Sequence, residues 1–273
     1  MTQISRRQAQ PVIVQAMHVP ARPTAAYLWR LLTFLALCLF LAPASAVEIG
    51  AEDDWYPFTA YRDGRIEGMS VDIVRAAFAA SGVPVELRPY PYVRCMELVR
   101  QGRLPACFNT SPDARIAEQF LLPEEPLFRG EILLWSRKKQ ATPVKDLEQL
   151  SGRSVAVTLG YEYGQKFDSF TQLKRVEVRR DLSGFRMLEH GRVDFTIAYR
   201  GTARALFREH PELAGQFTPV AVIHQPQLFL SFSRQHPRAR ELARQFDQGM
   251  RAIRANGRYQ QILDIWQHSN EVH

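Results

Sequence analysis

From residue 47 onward, short apolar runs alternate with stretches in which apolar residues recur every three to four positions, which predicts strands alternating with amphipathic helices. Val47 to Ala51 predicts the first strand. Asp63-Gly64 marks a turn, and Gly68 precedes a helix that sets Val71, Val74 and Phe78 on one face and stops at Gly82. Val83 to Leu87 predicts a second strand and Leu104 to Asn109 a third. Between them, Val93 to Gln101 predicts a helix with Cys95, Leu98 and Val99 on one face, ended by Gly102.

After an apolar strand at Glu131 to Arg137 and a polar connector at Lys138 to Thr142, the alternation resumes. Strands are predicted at Ser154 to Thr158, Val176 to Arg179 and Asp194 to Tyr199, with helices around Gln165 to Phe170 and from Asp181 to His190. Another short element lies at Asp146 to Leu150, and Gly152, Gly160 and Gly191 punctuate this half. A further extended stretch runs from Leu228 to Ser233. The chain is then helical from Arg238 to Trp266, with Leu242, Phe246, Met250 and Ile253 on one stripe, a break at Asn256-Gly257, and Tyr259, Ile262, Leu263 and Trp266 beyond it. Strand–helix alternation implies an α/β chain built on mainly parallel sheet with helices on its faces. The two extended stretches that leave and rejoin the first half imply two lobes.

The residues ahead of 47 read differently. Arg30 closes a positive region, Leu31 to Leu41 is apolar except for Thr33, and Pro43 leads to Ala44-Ser45-Ala46. This predicts a cleavable secretory signal over 1–46 and hence export to the periplasm. The apolar run is well short of the roughly 20 residues that a membrane-spanning helix needs. Translation starts at Met1 or at Met17, which would give a signal of more ordinary length. The formal charge of +7 owes four positive charges to Arg6, Arg7, Arg22 and Arg30, so 7 − 4 = +3 remains after cleavage. That residue of charge forms no basic run, and nucleic acid is not an expected partner. Cys95 and Cys107 are then the two cysteines left, either bridged, as an oxidising compartment favours, or packed as buried thiols.

The remaining histidines show no metal-ligand spacing, and neither a nucleophile elbow nor a phosphate loop is present, so no cofactor, metal or catalytic set is expected. What the chain does carry, in order, is Glu52-Asp53-Asp54-Trp55-Tyr56-Pro57-Phe58, Gly68-Met69-Ser70-Val71-Asp72-Ile73, Asn109-Thr110-Ser111-Pro112-Asp113-Ala114-Arg115, Gly152-Arg153-Ser154-Val155-Ala156-Val157 with Gly160, and Gly191-Arg192-Val193-Asp194. This order and spacing over 47–266 resembles family 3 of the bacterial extracellular solute-binding proteins. The resemblance implies a periplasmic-binding-protein-like type II fold of two lobes, 47–134 plus 225–273 and 135–224, joined by two hinge strands. It also implies a monomer that closes over a small solute and delivers it to the membrane permease of an ABC transporter.

The resemblance places Arg115 where the family holds a ligand carboxylate, with Thr110 adding a hydroxyl and the following helix start adding backbone donors. Trp55 and Tyr92 fall where the family has walls around the ligand side chain. Glu52 sits where it often has an acid that meets a basic ligand end. Each has a plain alternative: Arg115 a surface arginine, Trp55 core packing, Glu52 a solvated strand end. Arg94 either adds a second positive group or is an exposed helix arginine. Two departures stand out. After Gly160 the family's short hydroxyl residue is replaced by Tyr161-Glu162-Tyr163, and the aspartate that receives a ligand ammonium is replaced by Tyr199. A tyrosine accepts a hydrogen bond but does not balance a cation. Glu162 would replace the missing acid. Tyr161, Tyr163 and Tyr199 would make that lobe's wall aromatic. The expected solute therefore carries a carboxylate and a flat or apolar part. A small enzyme like the cyclohexadienyl dehydratases, with Glu52 or Glu162 as a protonated acid, and a sensing module for a membrane partner are the alternatives.

Overall fold

The computed structural model describes residues 46–271 of the chain. The expected signal segment lies outside the described residues, and among them no helix is long and apolar enough to cross a membrane. The first stretch of chain forms β1 (Val47–Glu52), β2 (Asp54–Trp55), β3 (Thr59–Arg62), β4 (Arg65–Glu67), α1 (Met69–Ala80), β5 (Val85–Tyr90), α2 (Tyr92–Arg100), β6 (Ala106–Thr110), α3 (Ala114–Gln119), β7 (Phe120–Leu121) and β8 (Phe128–Arg129). The middle forms β9 (Ile132–Arg137), β10 (Ser154–Thr158), α4 (Gln165–Asp168), β11 (Lys174–Val178), α5 (Asp181–Glu189), β12 (Phe195–Tyr199), α6 (Arg200–Glu209) and β13 (Phe217–His224). The last part forms β14 (Gln227–Ser233), α7 (Ala239–Ala255) and α8 (Arg258–Glu271).

Two sheets result. The first has the order β5-β1-β6-β14-β7 with β8 on β14, and the second β11-β10-β12-β9-β13. Each holds a parallel core of three strands, β5-β1-β6 and β11-β10-β12, as the strand–helix alternation requires. Each is completed by antiparallel strands, β14 against β6 and β9 against both β12 and β13. The sheets are thus mixed rather than mainly parallel, because the chain that leaves one body must run back beside it. The two crossings lie side by side, with the Gly130 amide donating to the Pro226 carbonyl at 2.9 Å.

Packing explains why the apolar pattern lands where it does. Strand β6 is buried along its whole length, and α1 buries Val71, Val74 and Phe78 while its Arg75 faces out. The stripe Leu242, Phe246, Met250 and Ile253 of α7 is buried against it, with the Phe78 and Phe246 ring centroids 5.6 Å apart. Each such aromatic burial stabilises by roughly 1.5–3 kcal/mol. The helices approach so closely that a side chain at Gly249 would collide with the Ala77 carbonyl. Cys95 and Cys107 are joined by a disulfide that ties α2 to β6. A Cβ at Gly50 of β1 would run into Cys95 Sγ, so glycine leaves the space that the bridge fills.

Candidate functional site

The carboxyl ends of β1, β6, β10 and β12 point toward the chain crossing, and the loops that leave them carry the expected site residues. Glu52 ends β1, and Trp55 follows on β2. Tyr92 opens α2, placed there by the turn after β5. From the second sheet come Tyr161 and Glu162, on the loop after β10, and Tyr199, the last residue of β12. Together these six line one cavity, and all but Tyr161 are buried by residue exposure. Its centre has about 10 Å³ of free space, room for about one water molecule.

Side chains from the two bodies meet directly across this cavity. The Tyr161 hydroxyl donates to Glu52 Oε1. Glu162 is held at both oxygens: Tyr92 donates to Oε2 at 2.8 Å, and the Arg115 guanidinium donates to Oε1 at 2.8 Å. Arg115 is half open, with 53% of its side chain exposed, whereas Glu162 keeps 7%. Aromatic rings close the space. Trp55 meets Tyr199 edge-on at 4.8 Å and Tyr161 at 6.1 Å, and Tyr92 meets Tyr161 at 5.5 Å. Tyr163 lies behind this wall and accepts from the Thr158 amide at 2.6 Å.

Burial dominates the electrostatics. It pushes the Glu52 carboxyl well above the usual range, against the Tyr161 hydrogen bond, with Asp181, Asp53 and Asp54 adding repulsion. Glu162 is pushed up to about 7 by burial, its bonds to Tyr92 and Arg115 offsetting only part of that cost. Asp181, half-buried at the start of α5 and bonded to the Thr158 hydroxyl at 2.7 Å, is pushed up to about 6 by the same cause. Glu52 and Tyr161 also line an outer cavity of about 220 Å³ that includes Asp53, Asp54 and Arg180, so their hydrogen bond stands between the inner space and the mouth.

Other expected residues sit differently. Arg94 is exposed on α2 and lies outside this lining. Thr110 is fully buried, its hydroxyl 3.7 Å from Met96 Sδ. The helix start beyond it is α3, where Asp113 accepts from the Ile116 amide at 2.6 Å and so supplies an anion of the chain's own to a first-turn donor. Among the described residues no cluster could hold a metal ion.

A family model, described as bacterial extracellular solute-binding proteins, family 3, matches residues 47–269. The chain belongs to that family. Its α/β architecture is the type II fold of periplasmic binding proteins, and its family is one of solute-binding proteins. PatH of Vibrio harveyi, named as an amino-acid ABC transporter-binding protein, is 23% identical over 232 residues, which cover 82% of this chain and 89% of that one. The arginine-, lysine-, histidine-binding protein ArtJ from Geobacillus stearothermophilus superposes with a TM-score of 0.69 at 17% identity, over 81% of this chain and 95% of that one. A histidine kinase sensor domain with similarity to periplasmic binding proteins superposes with a TM-score of 0.70 at 21% identity, over 81% and 96% of the two chains.

Within this solute-binding protein the cavity has two further lining residues that sequence reasoning passed over, Asn109 and Ser111. Phe108 and Thr110 of β6 pair with the adjacent Leu230 and Phe229 of β14, which leaves Asn109 as the extra residue of a bulge. Its φ of 76° is left-handed, a conformation asparagine tolerates better than most residues. The bulge turns its amide into the cavity. Asn109 Nδ2 and Oδ1, Ser111 Oγ and Trp55 Nε1 are all buried and make no hydrogen bond within the protein. Such groups are costly to bury unless something pairs with them. An asparagine ending an apolar strand was the available signal.

Proposed function

We propose that this chain is the periplasmic solute receptor of an ABC-type transporter, exported by its cleaved leader and closing as a monomer over a small amino-acid-like or aromatic solute. The lobes of this reading, expected at 47–134 with 225–273 and at 135–224, divide nearer residue 131, because β9 lies wholly in the second sheet, and they swing on the paired crossings near Gly130 and Pro226. The observation that carries it is one buried cavity whose polar groups come from both bodies: Glu52, Asn109 and Ser111 from one, Tyr161 and Glu162 from the other. The inner space holds about one water molecule, so a solute seated there must part Tyr161 from Glu52 and take in the adjoining outer cavity. It touches both bodies only when they are together, and so shifts the population toward the closed form that a membrane permease reads.

Arg115 is the group that would handle a carboxylate, since a planar guanidinium fork matches carboxylate geometry. In the closed arrangement it already grips one, that of Glu162. A solute carboxylate would reach it only by displacing that side chain.

The test is a thermal-shift screen of residues 47–273 against amino acids, aromatic acids and amines. A solute at about a hundred times its Kd adds roughly 2.7 kcal/mol of stability. A hit that is recovered chemically unchanged upholds the receptor reading. A hit that is converted moves the protein to the enzymes, and a screen in which nothing shifts the melting point sinks the assignment of this cavity.

A further inference from the structure

We infer that Glu162 serves as a built-in replacement for the solute's carboxylate, so that the solute itself is an organic cation lacking one: an amine, amidine or quaternary ammonium. This rests on the receptor reading and names the class of solute for the same cavity.

Glu162 fills the role that a bound carboxylate would play. Its two oxygens take the Arg115 guanidinium and the Tyr92 hydroxyl at 2.8 Å each, and it is buried between them. Arg115, which lines a neighbouring cavity with Glu162 and Tyr92 rather than this one, is thereby neutralised from within the chain. Glu52 remains as a second buried carboxyl in the lining, hydrogen-bonded to a tyrosine rather than to a cation. Asp53, Asp54 and Asp181 add to the negative field around it. Arg180, near the mouth, is 2.6 Å from Asp54 and so spent on that partner.

A carboxylate entering this space would have to dislodge Glu162 from Arg115 and Tyr92 and then lie in the negative field of Asp53, Asp54 and Asp181. A cation meets the opposite situation. Glu52 gains the counter-charge that favours its ionised form, and Trp55, Tyr161 and Tyr199 line the space with aromatic rings, whose quadrupole attracts positive charge placed over a face. The unpaired Asn109 Oδ1 and Ser111 Oγ suit N–H groups of the same solute, while the unpaired Asn109 Nδ2 and Trp55 Nε1 call for a neutral acceptor on it or for water. The replacement of a second-lobe aspartate by Tyr199 fits this arrangement, because the anionic partner of the solute is moved to Glu52 on the other side.

The experiment uses matched pairs that differ in the carboxylate: agmatine with L-arginine, cadaverine with L-lysine, phenethylamine with L-phenylalanine, and choline with glycine betaine. Binding to wild-type 47–273 is measured by calorimetry. At least one amine should bind about tenfold or more tightly than its acid, and Glu52→Gln should weaken that amine by a further tenfold or more. Glu162→Ser, which frees Arg115, should turn the preference of that pair toward the acid. If an acid binds and its amine does not, the receptor reading survives and the inference fails. Binding of neither member of any pair overturns both. Equal binding of the two members in every pair overturns the inference alone, since it shows that no carboxylate discrimination is built in.

Discussion

Arg62 of β3 and Glu209 of α6 stand 147 residues apart in sequence and are joined by two hydrogen bonds, at 2.5 and 3.1 Å, beside a further cavity that Asp54 and Arg180 also line. The guanidinium also lies 3.8 Å over the Tyr56 ring, which fixes its plane. Together with the Arg180–Asp54 pair it fastens the two bodies from outside, while Tyr161–Glu52 and Glu162–Arg115 fasten them within. Exposed pairs of this kind each contribute about 0–1 kcal/mol and weaken with salt. Arg62→Ala, and high salt on the wild type, should therefore enlarge the radius of gyration measured by small-angle scattering without added solute, while the melting temperature moves little. An unchanged radius in both cases would mean that the inner contacts alone hold closure.

The buried acids give the protein an unusual response to pH. Glu162 and Asp181 are pushed up by burial to about 7 and about 6. Glu162 faces Tyr92, Arg115, Asp113 and Tyr199, and Asp181 faces Thr158 and Asp54. The unfolded chain releases both protons near ordinary carboxyl values, so between there and neutrality the folded state holds more protons, and stability falls as pH rises. Each acid accounts for on the order of 3 kcal/mol over that window. Melting curves from pH 5 to 7.5 should show the loss, and Glu162→Gln should flatten it. Stability that climbs over this range would contradict the placement of both groups.

The disulfide closes a short loop, with 12 residues of sequence separation between Cys95 and Cys107. Loss of the cross-link by Cys95→Ser with Cys107→Ser should lower unfolding stability by about 3 kcal/mol. The same change loosens α2 against β6, and so Tyr92 against Asn109. Chemical denaturation should show the lowered midpoint, and solute affinity should drop as well. A midpoint matching the wild type would leave the bridge without a structural role.

Gly249→Ala tests the α1–α7 contact. Its new methyl would fall on the Ala77 carbonyl, a backbone atom that cannot swing away. Overpacking of this sort costs typically 1–3 kcal/mol. A lowered melting temperature with unaltered solute affinity is expected, because the contact lies away from the cavity.

The strongly periodic elements were legible in the sequence, and the reasons for the failures are particular. Helices α1, α2 and α7 bury large residues at helical spacing, and their stops at Gly82, Gly102 and Gly257 all have positive φ. Helix α6 escaped notice because it buries Thr202, Ala203 and Ala205, small residues that leave no apolar stripe. Strand β13 was hidden by Pro219, which reads against a strand, and by Val222, which faces solvent. The hairpin strands β2 to β4 were reduced to their Asp63-Gly64 turn because they are too short for alternation to register. At the site, the aromatic and acidic residues were readable by type and position. The aim of Asn109 was not, since it depends on a register shift against β14, more than a hundred residues later.

Gly130 lies in the first crossing, and a Cβ there would stand 2.6 Å from Tyr199 Cε1. The ring that forms one wall of the cavity therefore rests on the backbone about which the two bodies would turn. The next residue, Arg200, is anchored to the same crossing through its amide to the Glu131 carbonyl at 3.0 Å and its guanidinium to the Glu131 side chain. Wall and axle are one piece of machinery. On the proposed reading a solute pressing on Tyr199 would act on the pivot directly, with no relay of intervening side chains, and a substitution at Gly130 would press on that ring while leaving the polar contacts of the cavity in place.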